Sequence, residues 1–97
     1  MLSFWQLIDF ETALDRWIDV EDPSVDLRFV VTEWVLGRAE EPYVGVKRRP
    51  DVAGNYWFGI VPESRTGKQV VVCGYWIDEE NRALRCDTIA TLDLPIE

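Results

Sequence analysis

The sequence predicts a small α+β domain in which a short strand and two helices precede an antiparallel sheet. Two patterns carry this prediction. Apolar side chains recur at helical spacing in the first forty residues, whereas after residue 54 they form three strand-like runs separated by turn residues. The chain has 97 residues, 47% of them hydrophobic, which is enough for one modest core. We therefore expect a single domain over residues 1–97, with a meander of three or four strands.

The N-terminal region predicts a short strand that leads directly into a helix. Residues 4–8 suit a strand, and Asp9 then offers a side-chain oxygen to the free amides of a helix that begins at Phe10. Apolar residues at i, i+3, i+4, i+7 and i+8 give this helix one core-facing side. They are Phe10, Ala13, Leu14, Trp17 and Ile18.

A second helix is predicted after a break in the pattern, with Asp22 as N-cap and Pro23 at the first helical position. A strand is the alternative, because residues 25–31 also alternate and the segment is rich in β-branched residues. The length of the segment favours a helix. So do an early acid, Asp26, and a late base, Arg38, which suit the helix dipole. The core-facing positions would be Leu27, Val30, Val31, Trp34 and Arg38.

A connector over residues 42–54 precedes the sheet and includes a predicted short strand at residues 43–46. Three strands then follow, over residues 55–61, 69–77 and 84–92. Within them, Tyr56 and Trp57 are neighbours, as are Tyr75 and Trp76, so one aromatic ring of each pair should face the core and the other should face out.

The last hairpin predicts a register. If residues 78–81 form its turn, Ile77 lies opposite Arg82, and Cys73 then lies opposite Cys86. A loop that is longer or shorter by one residue would break this pairing, because side chains alternate between the two sheet faces.

The net charge of −8 is spread unevenly. Residues 1–41 hold ten acids against three arginines, which gives −7, whereas residues 42–97 hold eight acids against seven bases, which gives −1. The acidic half disfavours contact with a phosphate backbone. The chain has no histidine, the commonest general base and metal ligand, and we predict no metal and no cofactor.

The composition also predicts the compartment. No apolar run approaches the ~20 residues that span a bilayer, so no membrane partner is expected. The first five residues carry no basic group, which argues against a signal peptide and for a cytoplasmic protein. In that compartment Cys73 and Cys86 are expected to be two buried thiols rather than a disulfide.

Several short stretches, each common alone, follow one another in a familiar order. They are IDFETAL at residues 8–14, DPSV at 22–25 with AEEP at 39–42, GNYW at 54–57 and YWIDEENR at 75–82. This order resembles that of the RelE/ParE superfamily of bacterial toxin proteins, over nearly the whole chain. The resemblance implies a RelE/ParE-like fold and a place in a type II toxin–antitoxin pair.

The chain departs from that family where the family performs chemistry. The resemblance implies basic residues on the sheet that stabilise a phosphate during messenger RNA cleavage, and a tyrosine, histidine or arginine near the C-terminus. The corresponding sheet positions are Phe58, Ile60 and Val72, and residues 91–97 contain none of those three residue types. Cleavage by 2′-hydroxyl attack needs charge stabilisation, an acid and a base. We therefore expect the usual ribonuclease residues to be absent, and the sequence leaves any other enzyme activity open.

A few basic and aromatic residues are the candidates for contact with nucleic acid or a partner protein. Lys47, Arg48 and Arg49 form the only dense basic run, and Arg65 and Lys68 flank a glycine in the next loop. The plain alternative is a set of solvated loops whose cations balance nearby acids. The candidate set is Lys47, Arg48, Arg49, Tyr56, Arg65 and Lys68.

Three functions are therefore weighed. The first is a toxin-like component that binds a target protein or the translation machinery, the ribosome included, and is held by an antitoxin-like segment over the aromatic sheet face. The second is a non-toxic acidic interaction or inhibitor module whose negative helices engage a basic partner. The third is a messenger RNA endoribonuclease that uses Tyr56 and the basic run for proton transfer and phosphate binding. The sequence does not fix whether copies of the chain associate.

Overall fold

Two helices pack on one face of a five-stranded mixed sheet in the computed structural model, which describes residues 4–94. The elements are β1 (Gln6–Ile8), α1 (Phe10–Glu21), α2 (Val25–Leu36), β2 (Lys47–Arg48), β3 (Tyr56–Ile60), β4 (Gln69–Asp78) and β5 (Ala83–Asp93). The strand order is β1-β5-β4-β3-β2. The predicted α+β fold, with two helices ahead of the three long strands, is confirmed.

The sheet differs from the predicted antiparallel meander at both of its edges. At one edge β1 pairs in parallel with β5, with Leu7 opposite Leu84. At the other edge β2 adds a fifth strand, formed by Lys47–Arg48 and not by residues 43–46 as predicted. The chain turns at Gly45, whose φ of 80° suits glycine and interrupts extended backbone.

Helix α1 buries the predicted apolar stripe. Phe10, Ala13, Leu14 and Trp17 are buried, and Ile18 packs beside them. The predicted cap is wrong, because the Asp9 side chain makes no capping hydrogen bond. The Asp9 backbone has a φ of 68°, whereas an N-cap side chain reaches the helix amides from extended backbone.

Helix α2 is confirmed as a helix, but its first residue and its cap differ from the prediction. Ser24, not Asp22, is the N-cap, and its hydroxyl accepts a hydrogen bond from the Leu27 amide at 3.2 Å. Asp22 instead ends α1 in a left-handed conformation, with a φ of 45°. Its carboxylate accepts a hydrogen bond from Arg28, which lies inside α2.

Arg38 follows α2 on a short 3₁₀ turn, Gly37–Ala39, and is only 4% exposed. Its guanidinium lies 3.8 Å from the centroid of the Trp34 ring and donates to the carbonyls of Trp34, Glu41 and Val44. The sequence predicts only that the stem of Arg38 covers apolar surface. The structure buries the whole side chain, because backbone carbonyls satisfy its donors and hold the connector against the domain.

The predicted register of the last hairpin is wrong. Tyr75 lies opposite Cys86, and Cys73 lies opposite Ile89. The turn occupies residues 79–82 instead of 78–81. A bulge then inserts Asp87 without a partner on β4, which shifts the pairing once more. Both cysteines are buried and free, as predicted.

The core lies between the helices and the inner sheet face. It is built from apolar side chains of α1, α2 and the three long strands, among them Phe10, Val31, Tyr75 and Leu84. None of the helices in residues 4–94 is long and apolar enough to cross a membrane. Strand β5 runs to Asp93, and the Leu94 amide then donates to the Lys68 carbonyl.

Candidate binding face of the sheet

The outer face of the sheet is the face that neither helix covers. Side chains alternate along a strand, and the core cluster takes Trp57, Cys73 and Tyr75. Their neighbours therefore point the other way, and the predicted alternation of the two aromatic pairs is confirmed. Four buried apolar residues, Tyr56, Val70, Val72 and Ala83, lie outside the core cluster. By the strand register, the outer face carries Gln6, Ile8, Lys47, Tyr56, Phe58, Ile60, Val70, Val72, Trp76, Asp78, Ala83, Arg85, Thr88, Ala90 and Leu92, with the apolar side chains in its middle and most of the polar ones toward its ends.

The middle of the outer face, along β4, has the composition of a covered surface. A sheet with one face in water normally alternates apolar and polar residues. Strand β4 instead reads QVVVCGYWID, with only apolar and aromatic side chains between Gln69 and Asp78. Continuous apolar runs are typical of strands that are buried on both faces. On the outer face, Ile60 is 51% exposed and Leu92 is 46% exposed.

Tyr56 crosses the middle of the outer face. Its hydroxyl donates to the Asp87 carboxylate at 2.7 Å, and its ring lies 5.0 Å from that of Trp76. To reach Asp87 the side chain passes over Gly74, where a Cβ atom would overlap the Tyr56 hydroxyl and lie 3.0 Å from the Phe58 ring. Burial raises the pKa of Tyr56, and the hydrogen bond to Asp87 raises it further. The phenol therefore stays protonated and already has a partner.

The predicted basic run lies along the β2 edge. Lys47 is opposite Phe58 and Arg48 is opposite Trp57, so their side chains point to different faces of the sheet. The Arg49 guanidinium lies 5.5 Å from the centroid of the Phe58 ring and pairs with Asp51 at 2.8 Å. This pair raises the pKa of Arg49 and lowers the pKa of Asp51. The structure thus brings Lys47 and Arg49 to the outer face, and Arg48 lies behind them.

Arg65 and Lys68 do not join that group. Both lie in the loop between β3 and β4, which follows the Ile60 end of β3, whereas the Arg49 amide bonds to the carbonyl of Tyr56 at the other end. Arg65 donates to the Gly67 carbonyl within the same loop. The length of β3 therefore separates the two predicted basic sites.

At the β1 end of the outer face, Trp76 of the predicted aromatic pairs lies among residues that the sequence did not single out. Trp76, Ala83 and Arg85, together with Ile8, line a groove of about 410 Å³. Trp76 lies opposite Arg85 on the neighbouring strand, and its indole donates to the Ala53 carbonyl at 2.9 Å. A correct hairpin register would have found this arrangement, because it places Trp76 and Arg85 side by side.

The outer face is suited to binding rather than to acid–base chemistry with the predicted groups. Of the residues proposed for phosphate and proton transfer, Tyr56 is bonded to Asp87 and Arg49 is paired with Asp51. No group of three or more His, Cys, Asp or Glu side chains within residues 4–94 is arranged to hold a metal ion. What the face offers is an apolar and aromatic surface with cations at both sides, Lys47 and the Asp51-paired Arg49 at one and Arg85 at the other.

Comparisons with protein-family models, with curated proteins and with solved structures found no match to this chain.

Proposed function

We propose that the protein is a binding module whose outer sheet face is covered by a segment of a partner protein. The observation that carries this proposal is the apolar outer face over β4. A strand with apolar residues on both sides is typical of a sheet that is covered on both faces. The described helices cover only one face.

The charges at the sides of the face indicate the chemistry of the partner. Lys47 and Arg49 flank the aromatic residues at the β2 edge, and Arg85 flanks Trp76 near β1. A segment with apolar residues in its middle and carboxylates toward its ends complements this arrangement. Ion pairs at the rim would fix its orientation, and burial of the apolar residues would supply most of the affinity.

The more specific proposal is a toxin-like component of a type II toxin–antitoxin pair. The antitoxin-like segment would cover the outer face, and the toxin would act by binding a protein or part of the translation machinery. The RelE/ParE resemblance supports this proposal, as does an element order of strand, two helices and then antiparallel strands, of which the short β2 is one more than the three long strands. Phe58, Ile60 and Val72, the positions at which the resemblance implies arginines, meet on the outer face. An apolar surface there favours binding over phosphate chemistry.

A growth experiment tests this proposal. We expect the chain, expressed alone in bacteria, to arrest growth while messenger RNA stays intact, and co-expression of the partner encoded by the neighbouring gene to restore growth. The double variant Ile60→Glu/Leu92→Glu places two charges on the outer face and should abolish the rescue. Val44→Glu is the matched control, because Val44 is 56% exposed on the connector, away from this face. Cleaved messenger RNA, or rescue of the double variant, would refute the proposal.

A non-toxic acidic interaction module is the second candidate. One observation favours it: Glu11, Asp15 and Asp19 are all exposed along α1, and neither of the two ion pairs in the described part of the chain involves them. In the same growth experiment, we expect a module of this kind to leave bacterial growth unchanged.

A further inference from the structure

Helix α2 carries a second apolar surface that points away from the core. Its inner side buries Val31 and Val35. On its outer side Val25 is 76% exposed, Phe29 is 65% exposed and Leu36 is 54% exposed. A surface helix normally turns polar residues to water, so the apolar residues on the outer side of α2 lack the cover that such residues usually have.

The spacing of these outward residues is that of a helix-packing seam. Val25, Phe29, Thr32 and Leu36 follow one another at intervals of four, three and four residues. This is the a/d pattern of a heptad, which presents one stripe of side chains to a partner helix. Helix α1 does not fill the seam, because its apolar side chains other than the exposed Val20 belong to the core cluster on the other side of α2.

Carboxylates flank the seam on one side. Asp26 and Glu33, one heptad apart, lie beside Phe29 on the exposed surface of α2. Glu33 and Glu63 both line a groove of about 360 Å³, which has apolar walls from Val30, Trp34 and Pro62. Neither Glu33 nor Glu63 is part of the two ion pairs in residues 4–94. Such a groove suits a lysine or arginine, with its alkyl stem on the apolar walls and its charge near the carboxylates.

We infer that the outer side of α2 is a docking surface for a cationic amphipathic helix of a partner protein. The apolar residues of that helix pack on Val25, Phe29 and Leu36, and its lysines or arginines enter the groove between Glu33 and Glu63. This surface is separate from the outer sheet face, and it requires neither toxicity nor an antitoxin-like segment.

The charge argues against other occupants. A second copy would bring the same acids, Asp26 and Glu33, to the seam, and two chains of net charge −8 repel each other. An anionic membrane surface and a nucleic-acid backbone are repelled for the same reason. A cationic helix is attracted, and its apolar stripe matches the seam.

Peptide titration tests the inference with three synthetic probes of 21 residues. The first has leucine at a and d and lysine at e and g, the second is a scramble of the same composition, and the third replaces its lysines by glutamate. We expect the first probe to bind the intact chain at least about tenfold more tightly than either of the others. Equal binding of the scramble would mean that only non-specific charge attraction operates, and the inference would be overturned.

Variants locate the binding site. Phe29→Ser should weaken binding of the first probe by about tenfold or more, because it removes the central anchor. Glu33→Gln/Glu63→Gln should weaken it severalfold and flatten its dependence on salt. Val44→Ser, on the connector, is the matched control, because Val44 is also an exposed apolar residue (56%), and this variant should bind as the wild type does. Wild-type affinity in Phe29→Ser, with its circular dichroism unchanged, would overturn the inference. So would a wild-type dimer in sedimentation that Phe29→Ser dissociates.

Discussion

The two faces of the sheet are built from the same strands, yet the helices cover only one of them. On the inner face Cys73, Tyr75 and Leu84 have no exposed surface, because α1 and α2 lie over them. On the outer face Val70 and Val72 are also buried, but Ile60 and Leu92 keep about half of their surface in water. Both faces are apolar, so hydrophobicity alone does not distinguish them. The difference shows that the helices stabilise the fold on one face and leave apolar side chains of the other face exposed.

Truncation of a core residue should give the largest difference between the faces. Leu84→Ala removes a fully buried side chain and should lower the free energy of unfolding by about 3 kcal/mol. Ile60→Ala removes a side chain that is 51% exposed, and should cost roughly 1 kcal/mol or less. Urea denaturation of both variants measures the contrast. Equal losses would mean that the outer face is packed as tightly as the inner one.

The second-largest effect should come from alkaline pH, which lowers the free energy of unfolding by ionising Tyr75 on the inner face. Burial raises the pKa of Tyr75 from 10.0 to about 12, although the Arg38 guanidinium opposes the shift. The folded state therefore keeps the proton longer than the unfolded state. The stability from this group is fully present below pH 10 and falls as the pH rises, by about 2 kcal/mol at pH 12.

Tyr75→Phe is the matched variant for this pH effect. It keeps the ring but loses the hydroxyl, which donates to the Pro42 carbonyl at 2.5 Å. At pH 7 the variant should be less stable than the wild type by about 1 kcal/mol, the usual contribution of such a bond. Denaturation at pH 7 and pH 11.5 should show this deficit shrinking or reversing. A deficit that stays constant with pH would contradict the assignment.

Glycine substitutions probe the closest packing on the outer face. Gly74→Ala places a methyl group against Tyr56 and Phe58, and should cost about 1–2 kcal/mol because the Tyr56 side chain must move. Gly37→Ala is the control. Its Cβ would meet nothing within 4 Å and its φ is −65°, so this change should be neutral or stabilising by up to about 1 kcal/mol. Thermal denaturation ranks the two variants, and equal stability would show that the Tyr56 ring gives way freely.

The sequence predicted the elements better than their junctions. The apolar stripe of α1 and the three long strands were recognisable because hydrophobic periodicity is local. The caps were not, since Asp9 and Asp22 have the right chemistry but left-handed backbones. Such a backbone is set by how neighbouring elements pack, which one segment of sequence does not show.

The make-up of the outer face was predicted in part for a related reason. Lys47, Arg49 and Tyr56 do meet at the outer face, because they lie on paired strands. Arg85 and Asp87 were missed, because their positions depend on the register of the last hairpin. A turn displaced by one residue and a bulge at Asp87 changed that register, and neither has a distinct signal in the sequence.

The smallest expected effect concerns the hydrogen bond that the bulge makes available. Tyr56→Phe removes the phenol that donates to Asp87, and should lower the free energy of unfolding by about 1 kcal/mol. Asp87→Ala alone and in combination completes a double-mutant cycle, measured by urea denaturation. The two changes should be coupled by a similar amount, since both remove one bond. If the two losses of unfolding free energy simply add, the hydrogen bond contributes nothing to stability. The bulge at Asp87 would then not be the feature that holds Tyr56 across the outer face.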